Sequence, residues 1–301
     1  MSIFQKRESP IQNIAYMGIM AAINVIAIVM MNYVLPVLFL PFALFMPLTS
    51  TVVTLLCKKR FFPIYAIATI GLCFLVSINN ISDTLFYVIP SIISGFAFGM
   101  LIEYRMPSPI SIFVTGLIYT GLSYASIPLI EAIYGQNMIV IVATIFGLGD
   151  YQYLYYVVPS FIFVIGLIQA TVTYGLIVSQ LPKIGMEKEE RDIPYLYEGI
   201  GLLGSLLSLF AYFFFKEFCL FFLIFAVFFG IYEATKAGFN KEKIPLILMG
   251  ISLLVFILLF ALLYQYPVKP LNLVLLNILF DMFLIIGLVY NILSKRKISI
   301  E

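Results

Sequence analysis

Charge in this chain is almost confined to short gaps between long apolar runs, and that pattern constrains its fold more than any motif does. The runs occupy residues 11–34, 36–57, 61–78, 84–104, 109–130, 154–181, 196–215, 218–235, 244–264 and 271–293. Each is close to the roughly 20 residues a helix needs to cross the hydrocarbon of a bilayer. The chain as a whole is 63% hydrophobic and 11% charged, against about 25% charged in soluble domains. A soluble core has no room for that much apolar surface. A backbone in lipid has no water to bond, so its spans must be helical. The sequence therefore predicts an all-α polytopic membrane protein with ten transmembrane helices.

Loop cations set the orientation. With the N-terminus inside, Lys6, Arg7, Lys58, Lys59, Arg60, Arg105, Lys183, Lys188, Arg191, Lys236, Lys241, Lys243, Lys295, Arg296 and Lys297 all fall on the cytoplasmic side. Only Lys216 and Lys269 fall outside. The expectation is a multi-pass protein of the cell membrane with both termini cytoplasmic. The first run is too long for a signal peptide and lacks a small-x-small cleavage site. The one long polar loop contains Glu187-Lys188-Glu189-Glu190-Arg191-Asp192. It divides the chain into a six-helix unit (1–181), a cytoplasmic linker (182–195) and a four-helix unit (196–301).

Several chemistries are excluded by what is missing. There is no histidine, so histidine-based triads, metal sites and proton relays are ruled out. Cys57, Cys73 and Cys219 are far apart and form no CxxC; they read as small buried hydrophobes. No GxxxxGK[ST] loop offers a cradle for ATP. No cofactor, metal ligand or catalytic residue is predicted, and nothing points to nucleic acid. The bilayer is the one partner the composition itself requires.

Two groups of polar residues could carry function. Asp281 sits near the middle of the last run, with Asn277 one turn earlier on the same helical face. A carboxyl at that depth is expensive, and it serves either interhelical hydrogen bonding or proton or ion handling. Asn24 and Gln169 are lone polar residues suited to interhelical bonds. The second group lies on the outer side: Asp83, Glu131 and Asp150, with Tyr87, Tyr134, Tyr151, Tyr153 and Tyr155. Were these helix ends to converge, Asp83, Tyr87, Glu131, Asp150, Tyr151, Tyr153 and Tyr155 would line an acidic, aromatic mouth able to hold an organic cation. The alternative is that they are interfacial anchors and solvated loop charges. The stretch EAIYGQNMIVIVATIFGLGDYQYLYY, residues 131–156, would cap that mouth, because its apolar centre at 138–146 is too short to span.

Small residues at four-residue steps mark close helix packing. They occur at Gly18 and Ala22, at Ser91, Gly95 and Gly99, at Gly121 and Ala125, at Gly166 and Ala170, and at Gly204 and Ser208. Packing within the chain is the expectation for each, with docking onto a separate subunit as the alternative for Gly18 and Ala22.

The polar start, the stretch IAYMGIMAAINVI, the proline-marked second run, YVIPSIISGFAFGMLIEYR and a sixth helix ending near residue 181 resemble the S component of energy-coupling-factor vitamin transporters. With its four added helices, the whole chain resembles the YybS-like family of bacterial membrane proteins, itself similar to S components. The resemblance implies substrate capture at the outer side, and docking through Gly18 and Ala22 onto a membrane coupling subunit served by an ATPase. Gly18 stands where an alanine is usual, and the four helices after residue 195 have no counterpart in an S component. The expected function is therefore of transport type, capture of a small molecule, with an organic cation as one candidate, in an outer-facing pocket, rather than enzymatic. A structural protein of envelope assembly and a membrane enzyme acting on a lipid-linked substrate are the alternatives. Reporter fusions are expected to place residue 140 outside and Lys58 in the cytosol; finding either on the opposite face would overturn the orientation.

Overall fold

The fold comes from a computed structural model that describes residues 6–34, 39–135, 137, 151–184, 193, 195–263 and 269–298. Among them the chain is all-α, with no strand. The helices are α1 (Pro10–Val29), α2 (Phe39–Leu56), α3 (Phe62–Val76), α4 (Ile81–Glu103), α5 (Ser108–Tyr134), α6 (Tyr151–Val178), α7 (Leu196–Phe214), α8 (Cys219–Phe239), α9 (Lys243–Leu263) and α10 (Lys269–Ile298). Among the described residues, seven helical segments are long and apolar enough to cross a membrane, and Phe42–Leu56, Lys243–Leu258 and Asn277–Leu293 are shorter apolar helices. Most of the expected outer cap, residues 138–150, lies outside the described residues. The chain forms two compact units, residues 1–154 with 161–192, and residues 193–301 with 155–160.

In the first unit, local chemistry sets the helix ends. Ser9 caps α1 by accepting from the Gln12 N–H at 3.2 Å, and Pro10 occupies the first turn, where no N–H is needed. Gly135 ends α5 in the left-handed region, φ 65°, with its N–H bonded to the Glu131 carbonyl at 2.8 Å. Two π-helical turns interrupt the regular pattern, Met30–Val34 after α1 and Thr84–Val88 within α4.

Packing follows the small residues in part. A Cβ on Gly99 would stand 2.6 Å from the Thr54 Cβ, and one on Gly95 would run into the Pro47 carbonyl, so α2 and α4 meet backbone to backbone. A Cβ on Gly166 of α6 would likewise stand 3.0 Å from the Gly116 carbonyl oxygen of α5. Gly18 and Gly121 behave differently: nothing lies within 4 Å of where their Cβ atoms would be, and Ala22 and Ala125 are exposed. Among the described residues, nothing packs onto these two stripes. The buried face of α1 is instead Asn13, Tyr16, Met17, Ala21, Asn24 and Ile28, the larger side chains on the opposite side.

Polar side chains complete the first unit. Asn24 donates to Tyr65 Oη (3.0 Å), Tyr65 to Thr49 Oγ1 (3.2 Å), and Thr49 to Asn24 Oδ1 (3.0 Å), a closed ring joining α1, α2 and α3. Two more bonds answer prolines. Pro47 has no N–H for the Ala43 carbonyl four residues back, and Gln169 Nε2 of α6 donates to it at 2.9 Å. Pro90 has none for the Phe86 carbonyl, and Ser123 Oγ of α5 donates there at 3.2 Å.

The second unit is built on α7, α8 and α10, which pack mutually, with α9 against α8 and α10. Gly201 receives the Leu284 side chain, Gly204 the Phe225 ring and Gly230 the Phe280 ring. On α9 only one narrow stripe, Pro245, Met249 and Ser252, is buried over residues 243–258. Ile247, Ile251, Leu254 and Leu258 are exposed, as expected of a helix whose other sides face lipid.

Gln169→Leu is expected to lower stability by about 1–3 kcal/mol, because it strands the Ala43 carbonyl. In a Pro47→Ala background the loss should shrink, since residue 47 then supplies its own N–H. A double-mutant cycle of thermal unfolding in detergent measures both.

Candidate functional site

The expected outer mouth is described only in part. Asp83 and Tyr87 lie one turn apart at the start of α4, within electrostatic reach of each other. Asn32, in the π-helical turn after α1, faces Asp83, with its buried Nδ2 short of a full hydrogen bond. The two π-helical turns thus bring an amide, a carboxyl and a phenol to one place. Glu131 is half-buried in the last turn of α5. Asp150 lies outside the described residues, as do the side chains of Tyr151, Tyr153 and Tyr155 at the start of α6.

The intramembrane pair Asn277 and Asp281 lies on a longer polar seam in the second unit. At its first level, Ser208 of α7 donates to the Cys219 carbonyl at 3.0 Å, and Asn277 Nδ2 reaches Ser208 Oγ at 3.5 Å. One turn along, Ser205 donates to Asp281 Oδ2 at 2.7 Å. Asn277 and Asp281 therefore each bond across to α7. Next comes an apolar step, where Leu284 fills the space beside Gly201. Beyond it, Asn291 Nδ2 donates to Glu198 Oε1 at 2.7 Å, and Glu233 of α8 sits against Gly287 of α10. From Asn277 to Asn291 the seam climbs about 21 Å at 1.5 Å per residue.

Glu198 and Glu233 went unnoticed as site residues in the sequence, yet they are only 1% and 3% exposed. Both stand near the ends of apolar runs, where acidic residues usually reach water. The available signal was spacing: Glu198, Gly201, Ser205 and Ser208 share one face of α7, and that face is small and polar. On α8 the matching sign is Glu233 three residues before Lys236, with which it forms an ion pair at 3.6 Å. No family model, curated protein or solved structure matches this chain.

The chemistry of the seam is unbalanced. Asn277 Oδ1, Asp281 Oδ1, Glu198 Oε2 and Glu233 Oε1 are all buried without a hydrogen-bond partner. All four are acceptors, so the seam holds more lone pairs than protons. A buried group left this way carries a desolvation penalty of about 1–3 kcal/mol, more when charged. The three cysteines, in contrast, are buried and free; among them Cys219 joins the seam mainly through its backbone.

Ser205→Ala removes the donor to Asp281 and is expected to lower thermal stability in detergent by about 1–3 kcal/mol. Asp281→Asn keeps an oxygen for Ser205 and should change stability less. Equal losses in the two variants would show that the Ser205 bond does not hold α7 to α10.

Proposed function

We propose that this is a transport-type protein of the cell membrane, with ten spans and both termini cytoplasmic. On this reading the first six helices capture a small, cationic molecule at their outer end, and α1 docks on a membrane coupling subunit served by an ATPase. The four later helices are an addition to that capture unit.

The observation that carries the reading is the bare stripe on α1. Small residues at four-residue steps serve close helix approach. At Ser91–Gly95–Gly99, Gly166–Ala170 and Gly204–Ser208 a helix of this chain takes up the space, but at Gly18 nothing among the described residues stands within 4 Å. Flanking Ile14, Ile19, Ile23 and Ile26 are also exposed, so the stripe is a shallow groove between isoleucines on a helix face suited to a partner helix. At the other end of the unit, Asp83 with Asn32 and Tyr87 supplies the acidic and aromatic groups that a cationic ligand needs. The cytoplasmic excess of Lys and Arg supports the orientation that puts this cluster outside.

Purification in mild detergent is expected to recover a membrane coupling subunit and an ATPase, identified by mass spectrometry. Gly18→Leu should abolish that recovery without lowering thermal stability, since its side chain enters open space. Gly121→Leu, on the other unfilled stripe, is the control and should leave recovery intact. A wild-type chain that brings down neither subunit, or a Gly18→Leu chain that brings down both, would refute the docking role.

A further inference from the structure

The Glu198–Glu233 level of the second unit has a definite charge balance. Two carboxylates face one ammonium, Lys236, so with all three ionised the cluster carries one net negative charge. Asn291 donates to Glu198 Oε1 but adds no charge. The charged groups in reach of Glu233 are Lys236 on its own helix, Glu198 on α7 and Glu242 in the α8–α9 turn. The adjacent phenols, Tyr197 and Tyr232, pair their rings at 4.9 Å and tie α7 to α8 at this height. Glu242 adds a further negative charge, which makes an ionised pair less favourable still.

The geometry leaves a vacancy of the same kind. Glu198 Oε2 and Glu233 Oε1 are both buried and lack donors. Lys236 stops 3.6 Å from Glu233 Oε1, too far for a full hydrogen bond. Glu233 Oε2 is held against the α10 backbone, where a Cβ on Gly287 would stand 2.8 Å away. A larger residue at 287 would push the carboxylate aside, so the glycine keeps it in place.

We propose that the buried carboxyl pair Glu198 and Glu233, set against Asn291 and Gly287 one turn apart on α10, is a proton-binding site in the second unit that holds one proton, carried by one of the two carboxylates. Uptake converts one carboxylate to a carboxylic acid. That removes the net charge from the interior and turns an orphaned acceptor into an O–H donor. With one proton bound, the remaining carboxylate balances Lys236, so the site is set for one. The apolar step at Leu284 and Gly201 separates this level from Asp281, which makes it a binding site rather than one stage of an unbroken proton wire. The proposal concerns the second unit alone and does not depend on the capture reading of the first.

Dicyclohexylcarbodiimide tests it on the full chain in liposomes. This apolar reagent adds to protonated carboxyls: the acid proton passes to a carbodiimide nitrogen, the carboxylate oxygen bonds the central carbon, and the adduct rearranges to a stable N-acylurea that peptide mass spectrometry locates. The expected result is at most one adduct per chain at this level, on Glu198 or Glu233, with a yield that falls as pH rises. In Glu198→Gln the like charge is gone, and the midpoint for labelling Glu233 should drop by about one pH unit or more. Failure to label either residue at any pH where the chain stays monodisperse, labelling of both in one chain, or an unchanged Glu233 midpoint in Glu198→Gln would each overturn the proposal. Suppression of labelling by sodium chloride, but not by choline chloride at the same ionic strength, would assign the site to an alkali ion and likewise overturn it. Should Glu198→Gln fail to fold, the number of adducts on the wild-type chain and their pH dependence decide the question.

Discussion

A backbone carbonyl in hydrocarbon needs a donor, and the first unit is organised by that need. Pro47 and Pro90 each deny one carbonyl its usual partner. The replacements, Gln169 and Ser123, come from other helices. Each bond therefore fixes a neighbour's position as well as meeting a local requirement: α6 is tied to α2, and α5 to α4. The glycines act alongside. Gly95 and Gly99 let α4 approach α2 closely enough that Thr51 Oγ1, 2.8 Å from the Pro47 carbonyl of its own helix, also lies 3.0 Å from that of Gly95. Prolines that would weaken isolated helices thus become points of attachment between them.

The two units treat buried polarity differently, for a chemical reason. Asn24, Thr49 and Tyr65 each both donate and accept, so they close into a neutral ring. Carboxylates only accept. When Asp281, Glu198 and Glu233 are placed on one seam with two serines, two amides and a lysine, acceptors outnumber donors. A neutral ring needs nothing more to be stable. A seam of carboxylates short of donors instead leaves buried oxygens unpartnered, at Asp281, Glu198 and Glu233.

The surface carries information as well. Exposed Ile, Leu and Phe side chains cover α3, α7 and α9, which is the appearance of helices bathed in lipid tails. Against that background the groove at Gly18 and Ala22 differs in shape rather than in polarity. Lipid tails fill such a groove poorly compared with a second helix, because association in membranes is driven by close packing.

The sequence by itself determined the all-α class, through the length and spacing of its apolar runs. It also determined the bonding role of Asn24 and Gln169, since lone amides in such runs have few other uses. It marked Asn277 and Asp281 as costly for their depth. Tertiary structure alone decided which small-residue stripes pack: Gly18 and Gly95 look alike along the chain and differ only in what stands opposite. It likewise decided that Glu198 and Glu233 are buried. A glutamate near a helix end usually reaches solvent, and only the approach of α10, through Gly287 and Asn291, closes these two off from it. Burial and pairing depend on the neighbouring helix, and no single run of sequence contains that neighbour.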